Sequence, residues 1–151
     1  MATVSQLLAL KGRTVHTIDR SATVFEAISR MVERNVGALL ALEGMRPVGI
    51  LTERDYLRKV ALHGRASRTT RVEEIMSTEL ISVGLDTGVE ECMSLMTRNH
   101  IRHLPVLEGA EIAGIVSIGD IVKFLAGDRL AQIEQLTAYV QRSEGVYTYQ
   151  A

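Results

Sequence analysis

A seven-residue phrase is written twice in this chain of 151 residues. GILTERD at 49–55 and GIVSIGD at 114–120 share a glycine, two aliphatic residues, a hydroxyl and an aspartate, 65 positions apart. The same shift lays Val24 on Val89, Glu26 on Glu91, Met31 on Met96, Leu39 on Leu104, Leu42 on Leu107 and Gly44 on Gly109. A fixed period with so many coincidences means two copies of one supersecondary unit. Two copies are too few for a solenoid. They predict a pseudo-symmetric pair in which each half covers the other's apolar face.

Each copy reads as β-α-β-β-α, an α/β (α+β) unit. In the first, Val15–Ile18 is a short strand, and Thr23–Glu26 has the spacing of a capping box. Val24, Ala27, Ile28 and Met31 then recur at helical spacing, until Asn35 and Gly37 end the helix. Gly37–Leu42 and Pro47–Leu51 form a hairpin around Glu43-Gly44-Met45. Thr52 opens a second helix that stops near Gly64. In the second copy the strands are Leu80–Val83, His103–Leu107 and Ile112–Val116, with helices over Gly88–Arg98 and from Ser117 or Ile118. Val4–Leu10 and Val72–Met76 read as short helical turns leading into each copy. The expected division is repeat one over 1–67, repeat two over 68–127, and a C-terminal amphipathic helix and tail over 128–151, striped by Leu130, Ile133, Leu136 and Val140.

Composition removes several function classes. The 17 basic and 18 acidic residues nearly cancel, so no global field draws in nucleic acid or an anionic membrane. Aromatics are 4% of the chain and Trp is absent, too little for a base-stacking platform. The single cysteine, Cys92, excludes an internal disulfide and a multi-cysteine metal site. No stretch approaches a membrane span, and Leu7–Leu10 is too short for a signal-peptide core. The expectation is a cytoplasmic protein.

The chemistry must come from the repeated phrase. A strand feeding a helix through Thr52 or Ser117 presents unpaired backbone N–H groups and partial positive charge, a natural anion site. Gly49 and Gly114 allow a backbone or a ligand to approach closely. The same residues have a plain structural reading: Thr52-x-x-Asp55 and Ser117-x-x-Asp120 are the spacing of a capping box. Duplication would copy a cap as readily as a binding site, so the spacing leaves both open.

The two G-h-h-[ST]-x-x-D phrases, the IRHLPV stretch at 101–106, the VEEIMS stretch at 72–77 and the β-α-β-β-α order together resemble a tandem pair of cystathionine-β-synthase (CBS) domains, small and stand-alone, over roughly residues 1–127. The resemblance implies a non-catalytic regulatory module whose cleft binds adenine nucleotides or other adenosyl compounds, AMP first, with ATP or NAD(H) as further candidates. It implies a homodimer and a regulated partner protein that the sequence does not name. Carried over by position, Asp55 and Asp120 match the aspartate that accepts hydrogen bonds from ribose hydroxyls, and Thr52 and Ser117 the hydroxyl beside ribose or phosphate. A carboxylate can accept from both hydroxyls of a cis-diol. Adenine is expected between Val15, Val36 and Ile81, with Pro105 of the IRHLPV stretch beside them.

The halves differ in charge. Arg54 stands where the second copy has Gly119, in the first helical turn, placed to clamp a phosphate. Gly37-Ala38 becomes Arg102-His103, which with His100 makes the second strand mouth cationic. Two non-equivalent pockets, suited to phosphorylated adenosine more than to S-adenosylmethionine, are expected. Three rivals stand beside this reading. An enzyme would draw on His16, His63, His100 and His103, yet Cys92 lies on an apolar helix stripe and no Walker loop, HExxH or GxSxG occurs. His100-x-x-His103 lacks an obvious third metal ligand. A structural module would leave the cleft empty. Nucleic-acid binding has only Arg65, Arg68 and Arg71 of the linker behind it.

Overall fold

The computed structural model describes residues 2–127 together with 137, 138 and 140. The expected helix striped by Leu130, Ile133 and Leu136 lies outside the described residues. The element order is α1 (Val4–Lys11), β1 (Thr17–Asp19), α2 (Val24–Arg34), β2 (Ala38–Glu43), β3 (Arg46–Thr52), α3 (Glu53–Tyr56) running on as a π-helical segment (Leu57–Ala61), α4 (Val72–Ile75), α5 (Val89–Asn99), β4 (His103–Glu108), β5 (Glu111–Ser117) and α6 (Ile118–Ala126). The fold is mixed α+β with two small sheets. β1 pairs parallel to β2 and β2 antiparallel to β3; β4 pairs antiparallel to β5.

The 65-residue period is structural down to its irregularities. The hairpins β2–β3 and β4–β5 carry the same register shift, between Ala41 and Leu42 and between Val106 and Leu107. Their turns place Gly44 and Gly109 at φ of 63° and 65°, where a side chain is unfavourable. Helices α2 and α5 both end on a left-handed residue, Asn35 and His100, each at φ 54°. That conformation suits Asn and is uncommon elsewhere. His100 is therefore a helix terminator.

Three sequence expectations change. Thr23 caps α2 by accepting from the Glu26 N–H, but Glu26 does not return the bond, so the capping box is half made. The helix expected from Thr52 to Gly64 leaves α geometry after Tyr56. The strand expected over Leu80–Val83 is a lone parallel bridge, Val83 to Val106. The cause of the last is Pro105. In repeat one the Leu40 N–H donates to the His16 carbonyl and lengthens the β1–β2 pairing. Pro105 occupies Leu40's place and has no N–H to give, so the second ladder keeps only the Val83 bonds to Pro105 and Leu107.

Two apolar cores form, and the lead-in helices are exchanged between them. Val4, Leu7 and Leu8 of α1 are buried with Val89, Cys92, Met96, Leu104, Val116 and Ile121 of repeat two. Val72 and Ile75 of α4 are buried with Ile18, Val24, Ala27, Met31, Leu39, Leu51 and Val60 of repeat one. Backbone bonds pin each exchange: Val4 N–H to the Thr87 carbonyl and Val89 N–H to Ala2, then Val24 N–H to Thr70 and Val72 N–H to Ala22. Cys92 is a fully buried core residue, its thiol pKa raised by burial and then by the charge of Glu91.

The exchange explains the motif glycines. A Cβ on Gly114 would stand 3.0 Å from both methyls of Leu8 in α1. On Gly49 it would stand 2.6 Å from Met76 Sδ and 2.9 Å from the Ser77 carbonyl oxygen. The methyls of Leu8 can turn aside; the Ser77 carbonyl, which accepts from the Ile50 N–H, cannot do so without losing that bond. Gly49→Ala is therefore expected to cost about 1–3 kcal/mol, as overpacking does, and Gly114→Ala less. Urea unfolding of the two variants side by side measures the difference, and equal midpoints would refute the close-approach explanation.

Candidate functional site

Thr52 and Ser117 each sit in extended backbone at the end of a strand, immediately before a helix. Both motifs form complete capping boxes. In repeat one Asp55 N–H donates to Thr52 Oγ1 at 3.2 Å, while Asp55 Oδ2 accepts from the Thr52 N–H at 3.0 Å and from its hydroxyl at 3.1 Å. In repeat two Asp120 N–H donates to Ser117 Oγ at 3.1 Å, and Asp120 Oδ2 accepts from the Ser117 N–H at 2.8 Å. The structural reading of the spacing thus holds in both halves, and it engages one oxygen of each acid.

Each acid also meets a lysine, by a different route. Lys59, one helical turn on, places Nζ 3.2 Å from Asp55 Oδ1 and donates to the Ile75 carbonyl at 2.8 Å. Lys11 arrives on α1 and places Nζ 2.6 Å from Asp120 Oδ2 and 2.6 Å from the Ile115 carbonyl. The difference follows from the lead-in helices. Ile50 of repeat one exchanges both backbone bonds with Ser77, because α4 ends early and the chain runs on extended. Helix α1 continues to Lys11, and its ammonium satisfies the equivalent carbonyl of Ile115 instead. As a result both oxygens of Asp55 have protein partners, whereas among the described residues Oδ1 of Asp120 has none.

Electrostatics separate the halves further. Burial alone would raise the pKa of Asp120; the hydrogen bonds from Lys11 and the Ser117 N–H, with the Lys11 charge, outweigh it and hold the carboxyl below its ordinary range. Burial lowers the pKa of His103; Asp120 opposes that, while Lys11 and Arg102 reinforce it. The ring is neutral at pH 7, so the second strand mouth is less cationic than its sequence suggests, and Arg102, exposed, carries the charge there.

The strand mouths of the two repeats meet. His103 pairs with Ser117 across β4–β5, as Ala38 pairs with Thr52 across β2–β3. A methyl on Gly37 would lie 3.7 Å from His103 Cε1 and 3.8 Å from the Glu53 carboxylate, so repeat two's histidine faces repeat one's cap. Thr52, Asp55, Arg102, His103, Ser117 and Asp120 thus belong to two adjoining strand ends. Val36 packs at the edge of the first core and Ile81 at the edge of the second. Pro105 is buried in β4 opposite Ile115, Val15 is half-buried ahead of β1, and Arg54 is exposed on α3. A cleft of about 280 Å³ beside Asp120 is lined by Leu7, Leu10, Lys11, Asp120, Lys123 and Phe124, so of the predicted residues it contains Asp120 alone. Lys59 was readable as an i,i+4 partner of Asp55. Lys11 was not readable, since 109 positions separate it from Asp120. Among the described residues no group of three or more His, Cys, Asp or Glu is placed to hold a metal ion, and no helix is long and apolar enough to cross a membrane.

Comparison with known proteins agrees with this architecture. The CBS-domain family profile matches twice, over residues 10–62 and 72–127, and the chain belongs to that family. A mitochondrial CBS-domain protein of Arabidopsis thaliana, CBSX3, is 40% identical over 150 residues, covering 92% of this chain and 72% of its own. A CBS-domain protein from Burkholderia ambifaria superposes with a TM-score of 0.82 at 46% identity, over 85% of this chain and 96% of that one. A hexameric CBS-CP12 protein from bloom-forming cyanobacteria superposes with a TM-score of 0.72 at 29% identity, over 100% and 89%. CBS-domain pairs are generally non-catalytic regulatory modules that bind adenosine ligands.

Folding depresses the pKa of Asp120, so its stabilising contribution is complete above the ordinary carboxylate value and is lost as pH falls through the lower folded value. Asp120→Asn removes it. Near neutrality the variant should be less stable by about 1–2 kcal/mol, the scale of a charge-assisted bond at a partly exposed pair. The gap should close progressively below about pH 4. Urea unfolding of both proteins across that range is the measurement; a gap that ignores pH would mean the charge contributes nothing.

Proposed function

We propose that this protein is a non-catalytic sensor that binds an adenine nucleotide between its two repeats, over 1–67 and 68–127, and signals through a partner protein or its own homodimer. AMP is the first candidate, with ATP and NAD(H) next. The observation that carries the reading is the half-buried Asp120 carboxylate at the junction of the repeats, with Oδ2 committed to the cap and to Lys11 and Oδ1 free of partners among the described residues. Such an oxygen can accept from ribose hydroxyls without dismantling the helix cap. Asp55, with both oxygens engaged, is the weaker acceptor, which makes the pockets unequal.

In this reading Ser117 and Thr52 stand beside the ribose, and Arg102 and Arg54 supply charge for phosphate. Val15, Val36, Ile81 and Pro105 form the apolar surroundings of adenine. The Ile81 carbonyl, deprived by Pro105 of the donor its counterpart His16 has, is a natural acceptor for an exocyclic amine. A ligand touching both strand mouths shifts their packing only by its differential affinity for two arrangements.

AMP has about 23 heavy atoms; at about 0.3 kcal/mol each this gives around 7 kcal/mol, a Kd near 10 μM. Calorimetric titration with AMP, ATP, NADH and S-adenosylmethionine tests the proposal. Phosphorylated ligands are expected to bind in the micromolar range, and Asp120→Ala is expected to cost about 1.5–3 kcal/mol of AMP binding. A ligand at a hundredfold its Kd stabilises the fold by about 2.7 kcal/mol. If none of the four moves the melting temperature, the protein is a structural module and the sensor reading is wrong.

A further inference from the structure

The cleft between α1 and α6 has a composition that the repeated motif does not explain. Its walls are Leu7, Leu10 and Phe124, and its polar groups are Lys11, Asp120 and Lys123. The Lys11 and Asp120 side chains are only 29% and 19% exposed and neutralise one another. Among the described residues Lys123 forms no ion pair, so its charge is the cleft's net charge. Of the three N–H donors on Lys11, one goes to Asp120 and one to the Ile115 carbonyl, which leaves one uncommitted. Leu7 and Phe124 shield one side of that donor, while Leu10, 79% exposed, leaves the mouth of the cleft open to solvent. In repeat one the lysine at the acid is Lys59 of the acid's own helical segment, and the lead-in helix supplies none. Counting from Val72 as Lys11 is counted from Val4, the residue reached is Glu79, an acid.

We propose that the α1–α6 cleft is an anion subsite of the second pocket, in which Lys11, assisted by Lys123, selects phosphorylated over unphosphorylated ligands at Asp120. The inference builds on the nucleotide reading above, but its anion component stands on the cleft alone. The acid accepts the sugar hydroxyls on Oδ1. The lysine that already neutralises Oδ2 turns its remaining N–H to a phosphate oxygen. The apolar wall limits the space to the ribose-phosphate end, since the cleft falls just below the usual range for a whole small-molecule site.

The test uses the full chain with three probes: AMP, adenosine and inorganic pyrophosphate, followed by calorimetry and by two-dimensional NMR. The variants are Lys11→Met, Lys11→Arg and Lys123→Met, each first checked for a cooperative melting transition well above the titration temperature. Wild type is expected to prefer AMP to adenosine by tenfold or more. Lys11→Met should remove most of that preference, Arg102 keeping the remainder, with adenosine affinity falling far less than AMP affinity; Lys11→Arg should retain most of it, and Lys123→Met should reduce it severalfold. If Lys11→Met does not fold, Lys123→Met and Lys11→Arg carry the decision. Equal losses for AMP and adenosine would show that Lys11 acts only by holding Asp120, and undiminished AMP preference in both methionine variants would likewise overturn the proposal. Pyrophosphate shifting α1 and α6 resonances in wild type but not in the methionine variants, without any AMP or adenosine binding, would sustain the anion subsite while refuting the nucleotide reading. No response to any probe would refute both.

Discussion

Each core of this molecule is closed by a helix that precedes the other repeat in the chain. Helix α1 buries Val4, Leu7 and Leu8 in the second core, and α4 buries Val72 and Ile75 in the first. A β-α-β-β-α unit of this size has too little apolar surface of its own to be comfortably stable. The exchange gives each unit the missing side chains and makes the two inseparable. It also dictates the glycine of the repeated phrase, because Leu8 crosses Gly114 and the Met76-Ser77 segment crosses Gly49.

The repeated phrase turns out to have several jobs at once. Its glycine makes room, the second of its aliphatic residues, Leu51 or Val116, enters the core, and its hydroxyl and acid close the first turn of a helix. These duties are equal in the two halves. The inequality arises around them: Lys59 comes from the acid's own helix, Lys11 from the far end of the chain, and Pro105 interrupts a ladder that Leu40 completes. Near-identical motifs are thus placed in different electrostatic and hydrogen-bonding surroundings. Asp55 is saturated and Asp120 is half open. A pseudo-symmetric frame thus carries two chemically unequal strand mouths.

Much of this was legible from residue order alone, and the parts that were not have identifiable causes. Helices with strong apolar periodicity, α2 and α5, and hairpins punctuated by Gly44 and Gly109 lie within a residue or two of where their patterns predict them. These signals are local, so they survive without tertiary information. The misread segment Leu80–Val83 had good strand character; what it lacked was a partner able to donate, and that depended on a proline two dozen residues later. The departure from α geometry after Tyr56 had no sequence signal at all. The charge on His103 was overstated because burial, a tertiary quantity, neutralises the ring.

By itself the sequence determined the two-fold repetition, the class of fold and the two acids of the repeated phrase that close a helix turn. Those follow from period, alternation and spacing, which are properties of neighbouring residues. The tertiary structure alone decided which helix completes which core, why the glycines are required, and which acid is left with a free oxygen. Those depend on contacts between different elements of the chain, Gly49 with Met76 in the first repeat and Lys11 with Asp120 and Leu8 with Gly114 in the second, and no local pattern encodes such meetings.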